Sequence, residues 1–128
     1  MFFWTLHKCL NQFKFTTHQT NQMRIFVTHR FHALHKWDGA TGLVSFLRHE
    51  HRHLFFVRLE IEVTDDDRQI EFLGLQSELE VECERLKQIP GTIKWSCEHY
   101  ARAIGEKFNA DLCEVSEDNE NGAIWKAK

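Results

Sequence analysis

The sequence lacks several features that identify large classes of proteins. No stretch approaches the roughly 18 consecutive apolar residues of a membrane-spanning helix, and no internal repeat or low-complexity tract is present. The formal net charge of −3 offers no broad attraction for nucleic acid or for an anionic membrane surface. The N-terminal residues contain neither a basic region nor a small-residue cleavage site, so we expect no secretory signal peptide. We therefore expect no nucleic-acid or membrane partner.

Cysteine residues are few and dispersed. The four cysteines lie far apart and form no CxxC pair, a pattern that predicts reduced thiols in the cytoplasm rather than a disulfide framework. A length of 128 residues allows one domain with a substantial core. Residues 1–22 show no sustained hydrophobic period, whereas a regular pattern begins at Met23. We expect the domain to comprise residues 23–128, with residues 1–22 either an N-terminal extension or upstream of a true translation start at Met23.

Hydrophobic periodicity from Met23 onward predicts an α+β domain. Alternating apolar residues predict two strands, one from Met23 to His35 and one over 51–63, separated by the turn residues KWDGATG. Apolar residues at helical spacing predict two helices, the first ending before IPG and the second capped by Ser96. DLCEVSE and AIWKA predict a hairpin closed by DNENG. We expect the order ββααββ, an antiparallel four-stranded sheet with two helices on one face.

Histidine is unusually frequent, with nine residues, and several fall where a strand should bury apolar side chains. In RHEHRHLFFVRLEIEV, residues 48–63, alternation puts His49, His51 and His53 on the apolar face. His35 ends the apolar face of the first strand, so an antiparallel hairpin brings it beside His51 and His53.

Three neutral imidazoles at one end of a sheet can bind zinc and leave a fourth position for water or substrate. The alternative is that these histidines pack at a solvated strand end and bond backbone carbonyls. His29 lies too far along the first strand to join them, and His32 points to the opposite face.

Five stretches, in order, resemble the 6-pyruvoyltetrahydropterin synthase family, and most of all its 6-carboxytetrahydropterin synthases of queuosine biosynthesis: FHALH, HRHLFFVRLEIEV, IEFLGL, SCEHYARAI and VSEDNENGAIW. The similarity runs from about residue 25 to residue 126. In the family, one zinc-binding histidine closes an F-x-A-x-H motif and two more form an H-x-H, which correspond here to His35, His51 and His53. The resemblance implies a zinc cofactor, the tunnelling fold, and a homotrimer or homohexamer with active sites completed across subunit interfaces.

The resemblance also implies where a substrate binds. In the family a glutamate just before the final hairpin accepts two hydrogen bonds from a pterin, and Glu117 stands at that position. Strand alternation puts Glu117 on the buried face, where a carboxylate needs a partner. The start of the second helix, at Ser96 and Cys97, lies near the pterin in relatives, and its free N–H groups could hold a polar ligand.

The catalytic half of the family motif is absent. Family enzymes act on 7,8-dihydroneopterin triphosphate with a cysteine before the H-x-H and an Asp-His pair after the first helix. Here SFLRHE and ERLKQIPG occupy those places. The candidate replacements are His49, as a proton shuttle, and Cys97, at a helix N-terminus that favours a thiolate.

Three functions follow from this pattern. The first is a zinc-dependent lyase of the 6-carboxytetrahydropterin synthase type that acts on dihydroneopterin triphosphate or a related pterin. The second is a non-catalytic zinc protein that binds a pterin or guanine. The third is a purely structural zinc site in an assembly protein.

Overall fold

A computed structural model describes residues 22–128, and the predicted extension, residues 1–22, lies outside that range except for its last residue. The chain has the α+β architecture that the periodicity predicts. Its elements in order are β1 (Met23–His35), a 3-10 helix (Gly42–Arg48), β2 (His51–Val63), α1 (Phe72–Gln88), a 3-10 turn (Thr92–Lys94), α2 (Cys97–Lys107), β3 (Leu112–Glu117) and β4 (Asn121–Lys126).

The four strands form one open antiparallel sheet in the order β1-β2-β3-β4. β1 and β2 pair along their whole length, and the last pair places His35 opposite His51. β3 pairs with β2 up to Glu117, which lies opposite Phe55. The end of β1, the start of β2 and the end of β3 therefore meet at the same end of the sheet.

Side-chain alternation decides which face of the sheet is buried. Odd-numbered residues of β1 and β2 face the helices, among them Phe31 and Phe55, which are 3% and 0% exposed. The ring of Tyr100 on α2 packs against both, at centroid distances of 5.4 and 5.3 Å. Even-numbered residues such as Phe26 and Leu34 lie on the uncovered face, and each is 51% exposed. The helices thus cover the face that carries the odd-numbered histidines.

Each helix begins at a side-chain cap. The carboxylate of Glu71 accepts hydrogen bonds from the N–H groups of Leu73 and Gly74 and starts α1. At α2, Ser96 is the N-cap, as predicted. Its hydroxyl accepts a bond from the N–H of His99, and the His99 ring accepts one from the N–H of Ser96. This reciprocal pair fixes the position at which α2 begins.

The connection between β1 and β2 differs from a simple turn. After KWDGATG the chain enters the 3-10 helix, and β2 begins only at His51. Gly42 starts this helix with φ of +61°, a left-handed conformation that glycine adopts without steric cost. His49 therefore lies outside the strand, and the alternation that placed it beside His51 and His53 does not reach it.

Within residues 22–128, no helix combines the length and apolar character needed to cross a membrane. The cysteines of this range, Cys83, Cys97 and Cys113, are buried and free of disulfide bonds. Burial raises the pKa of each thiol to about 12. All three are therefore neutral thiols at neutral pH.

Substitution of Gly105 tests the contact between α2 and β4. A Cβ at this position would lie 2.2 Å from Cε3 of Trp125. Gly105→Ala should lower the free energy of unfolding by about 1–3 kcal/mol, measured by urea denaturation, because the Trp125 ring has to shift. Gly74→Ala, on the exposed surface of α1, is the control and should be neutral or stabilising by up to about 1 kcal/mol. A Gly105→Ala variant as stable as this control would contradict the packing described.

Candidate metal centre

Three histidines meet where β1 ends and β2 begins. His35 lies opposite His51, and His53 follows on the same face of β2, opposite Ala33. Their ring centroids are 4.4 Å apart for His35 and His51 and 5.0 Å apart for the other two pairs. One ring nitrogen of each lies within 4.8 Å of the others, close enough for all three to bind one metal ion. The predicted convergence of these three residues is therefore present.

Hydrogen bonds at Nδ1 determine the tautomer of each imidazole. Nδ1 of His35 lies 3.2 Å from the carbonyl oxygen of Trp95, and Nδ1 of His51 lies 2.8 Å from that of His49. Carbonyl oxygens only accept, so both Nδ1 atoms carry the proton and donate. Nδ1 of His53 lies 2.5 Å from a carboxylate oxygen of Asp118, which likewise accepts. In its neutral form, each ring therefore keeps its lone pair on Nε2, the atom available to a metal.

The carboxylate of Glu117 lies beside the Nε2 atoms of His35 and His53. Its Oε1 lies 3.4 Å from Nε2 of His35, and its Oε2 lies 3.8 Å from Nε2 of His53. Burial lowers the pKa of His35 below its ordinary value of 6.5, although the bond to Trp95 and the charge of Glu117 act in the opposite direction. His35 is therefore neutral at neutral pH, and its contact with Glu117 is not an ion pair there. Two electron-rich groups this close favour a cation between them.

The nitrogen of His35 that faces Glu117 has no internal partner. Its Nε2 is buried and makes no hydrogen bond with any residue of 22–128. Nε2 of His29 is also buried and unbonded within that range, so an unbonded nitrogen alone does not identify a ligand. What sets His35 apart is the convergence of two further imidazoles and a carboxylate. The donor set fits a divalent metal ion that prefers imidazole nitrogen.

The two histidines that the sequence pattern excluded from the metal site, His29 and His32, lie elsewhere. His29 pairs with Val57, well inside the β1–β2 ladder. His32 is exposed on the uncovered face of the sheet, opposite Leu54. Neither belongs to the group of side chains that could bind a metal.

Asp118 is a site residue that the sequence pattern did not reveal. It follows Glu117 in the turn between β3 and β4, where its carboxylate bonds the ring of His53 and accepts from the N–H of Leu54 at 3.1 Å. The bond to His53 first, and then the bond to Leu54, hold the pKa of Asp118 below its ordinary value. An acidic residue in a turn has no periodic pattern, and only its position next to Glu117 hints at a role.

A cavity of about 530 Å³ opens beside the histidines. This volume lies within the range of small-molecule sites, roughly 300–1,000 Å³. His35, His51 and Glu117 line it together with the start of α2. Several further lining residues were not singled out by the sequence, among them Lys36, Trp37, Lys94 and Trp95.

Ser96 and Cys97 line this cavity, as expected for a ligand site at the start of α2. The N–H of Ser96 bonds the ring of His99 at 3.2 Å, and the Ser96 hydroxyl lies 2.9 Å from the same ring nitrogen. Both polar groups of Ser96 are thus engaged within the helix cap. Burial, and then the charge of Glu117, raise the pKa of the Cys97 thiol to about 12. Cys97 is therefore a neutral thiol, and not the thiolate that its helix position favours.

His49 is exposed at the end of the 3-10 helix. Among the described residues, it is not part of the cavity lining. Its contribution to the site is its backbone carbonyl, which accepts the hydrogen bond from His51. The arrangement therefore presents a metal-binding group and a cavity, without an evident acid–base side chain at either predicted replacement position.

Comparison with known proteins gives no further assignment. The sequence matches no protein-family model, and it has no significant match among curated proteins. Interpretation of the site therefore rests on its geometry and on the motifs of the sequence itself.

The assignment of the three ligands predicts the metal content of variants. Purified protein should contain about one metal ion per chain, and His35→Ala, His51→Ala or His53→Ala should abolish binding because two imidazoles remain where three are needed. Elemental analysis of the purified protein measures this. His29→Ala and His32→Ala are matched controls that should retain the metal. Absence of metal from the unaltered protein, or equal loss in the His29→Ala variant, would overturn the assignment.

Proposed function

We propose that the chain is a zinc-dependent protein that binds a pterin and acts on its side chain in the manner of 6-carboxytetrahydropterin synthase. The observation that carries the proposal is the convergence of three Nε2 lone pairs with a carboxylate beside a cavity of about 530 Å³. The third alternative, a purely structural zinc site, is less well supported, because a closed structural site needs no cavity beside it.

Zinc is the metal that best suits this donor set. Three neutral imidazoles are the ligand set of catalytic-type zinc sites, in which a fourth position stays open. His35, His51 and His53 would hold the ion, with Glu117 beside the open position. When bound, zinc supplies Lewis acidity that polarises a hydroxyl or carbonyl oxygen of the ligand. The α+β sheet, with its helices on one face, is compatible with the tunnelling fold that the sequence resemblance implies.

A planar, amide-containing heterocycle suits the other groups of the cavity. The carboxylate of Glu117 can accept two parallel hydrogen bonds from an amino group and a ring N–H, a charge-assisted and geometrically selective contact. The indoles of Trp37 and Trp95 also line the cavity, and aromatic faces favour stacking with flat rings. Pterins and guanine share the required edge, and the resemblance favours the pterin.

Two lysines at the cavity favour a substrate with an anionic tail. Nζ of Lys36 and Nζ of Lys94 lie 3.1 and 3.0 Å from the two carboxylate oxygens of Asp38. Asp38 compensates one of these two charges, and Glu98 and Glu117 add carboxylates to the same lining. The two ammonium groups are the groups of the cavity that could bond a phosphate, such as that of dihydroneopterin triphosphate.

We also propose that the protein is a homotrimer or homohexamer. β1 is a 13-residue edge strand, whose outer backbone groups have no partner strand among residues 22–128. The uncovered face of the sheet carries exposed apolar side chains, including Phe26, Leu34 and Ile124. Edge pairing with further copies of the chain would satisfy the outer backbone groups of β1.

A second candidate, a non-catalytic pterin- or guanine-binding protein, is favoured by two specific observations. The Cys97 thiol is protonated, with a pKa raised to about 12, and the His49 ring is exposed and lies apart from the cavity lining of the described residues. Neither group is therefore set up for proton transfer. The binding groups, by contrast, are all present.

Glu117 should dominate pterin recognition. Glu117→Gln should weaken pterin binding about 10- to 100-fold, because a neutral amide lacks the charge and cannot accept both bonds, each worth roughly 1.5–3 kcal/mol. Calorimetric or fluorescence titration with 7,8-dihydroneopterin on zinc-loaded protein measures this. Glu114→Gln, on the opposite face of β3, is the matched control and should bind like the unaltered protein. Equal binding by the Glu117→Gln and control variants would contradict the role of Glu117.

Turnover should be slow even though binding is intact. General acid–base groups contribute about 10²- to 10⁴-fold, and the family's cysteine and Asp-His pair are absent from the sequence. Single-turnover assays with 7,8-dihydroneopterin triphosphate should therefore give a low rate for the unaltered protein. His49→Ala and Cys97→Ala should change it little, unless one of these residues has taken over catalysis. Rapid turnover that survives both substitutions would mean that other residues supply the proton transfer.

A further inference from the structure

The turn between β3 and β4 is tied to β2 beyond the last strand pair. Asp118 and Asn119 have φ of +53° and +59°, so both adopt the left-handed conformation that Asp and Asn tolerate better than most residues. The N–H of Asp118 donates to the carbonyl of Leu54 at 2.8 Å. This bond continues the β2–β3 ladder past the pair of Phe55 and Glu117.

The side chain of Asp118 returns to the same strand. One carboxylate oxygen accepts from the N–H of Leu54 at 3.1 Å, and the other lies 2.5 Å from Nδ1 of His53. A single carboxylate thus bonds two consecutive residues of β2. The neighbouring residue, Glu117, contacts the other ring nitrogen of His53 at 3.8 Å. Asp118 therefore holds the His53 ring at Nδ1, and Glu117 lies beside its Nε2 without a hydrogen bond.

The partner of His53 differs in kind from those of the other two ligands. His35 and His51 donate to the backbone carbonyls of Trp95 and His49. A side-chain substitution at either accepting residue leaves its carbonyl in place. His53 donates to a charged side chain. A carboxylate behind a metal-binding imidazole fixes the ring and its tautomer and raises its basicity, and losing such a partner typically costs about 10- to 100-fold in metal affinity.

We propose that Asp118 is the positioning residue of the metal centre, which holds Nε2 of His53 towards Glu117 and the other imidazoles. The same contact links metal binding to the turn that directly follows Glu117, and so to the residue assigned to pterin recognition. This inference rests on the metal site of the proposed function.

Asp118→Asn separates positioning from a merely structural role. Asparagine tolerates the left-handed backbone at least as well as aspartate, and its amide oxygen can still accept from the N–H of Leu54. Its NH₂ group would then face Nδ1 of His53 and donate to it, so the proton of the neutral ring moves to Nε2. That tautomer cannot bind metal through Nε2. We expect the metal-free variant to stay folded with a modestly lower melting temperature, because the ionised carboxylate is lost, while the Kd for zinc rises about 10- to 100-fold.

Asp111→Asn is the matched control. The carboxylate of Asp111 accepts from the N–H of Glu62, at the opposite end of β2, at 2.6 Å. The variant loses the same charge and keeps an oxygen that can accept from a backbone N–H, but this residue bonds no histidine. Zinc affinity, measured by competition with a chromophoric chelator, should match that of the unaltered protein.

A second readout needs no metal. Long-range ¹H–¹⁵N spectra of the imidazoles in metal-free protein should place the proton of His53 on Nδ1 in the unaltered chain and on Nε2 in Asp118→Asn. Unaltered protein that binds zinc, together with an Asp118→Asn variant of equal affinity and unchanged tautomer, would overturn the positioning role alone. A loss of zinc affinity in Asp118→Asn that Asp111→Asn reproduces would also overturn the positioning role. Unaltered protein that binds no zinc would overturn the proposed function as well.

Discussion

The register between β1 and β2 is the constraint on which the site depends. His35 can meet His51 and His53 only because the two strands pair to their ends, with His35 opposite His51. A slip of one residue would turn the histidines of one strand to the opposite face. The register is held by the core, where Phe31 stacks on Phe55 at a centroid distance of 5.4 Å beneath Tyr100. The position of the metal ligands is therefore a consequence of apolar packing several residues away.

The electrostatic character of the site follows from its hydrogen bonds. Three carbonyl or carboxylate acceptors draw the ring protons to the Nδ1 atoms, and the Nε2 lone pairs are left facing Glu117. In water, each lone pair and the carboxylate would accept hydrogen bonds from solvent. Nε2 of His35 is buried and therefore has no such bond. At low pH, a proton on Nε2 would relieve the repulsion between its lone pair and the carboxylate of Glu117. At neutral pH the lowered pKa of His35 disfavours protonation of that ring, and the three imidazoles lie close enough together to bind a metal cation instead.

Much of this arrangement was predictable from the sequence. The alternation of a strand and the residues of a turn are both visible in short stretches of sequence. Alternation in β1 and β2 identified the buried face, and the hairpin then brought His35, His51 and His53 together. Glu117 followed from the same alternation in β3. The pattern failed where the chain leaves its strands: a 3-10 helix precedes His51, so alternation could not place His49.

Two further properties of the site depend on distant parts of the chain. The depth at which Cys97 is buried results from packing between α2 and the sheet, and it outweighs the helix N-terminus in setting the thiol's pKa. The contact of Asp118 with His53 joins residues 65 positions apart through a turn. Neither property has a local sequence signal.

The three histidines and Glu117 belong to a different part of the fold from the connections between its strands and helices. The three imidazoles and Glu117 stand on strands that share the hydrophobic core, so their positions change only if the sheet changes. In the family that the sequence resembles, and on which the proposed function draws, the acid–base groups belong instead to connections, one before the H-x-H and one after the first helix. Here those connections are the exposed 3-10 helix and the turn around Pro90 and Gly91. Surface connections tolerate substitution and deletion far better than core strands. Under the proposed function, the chain can therefore lack the acid–base groups of those connections and keep the three histidines and Glu117, because the strands hold the latter and the surface connections hold the former.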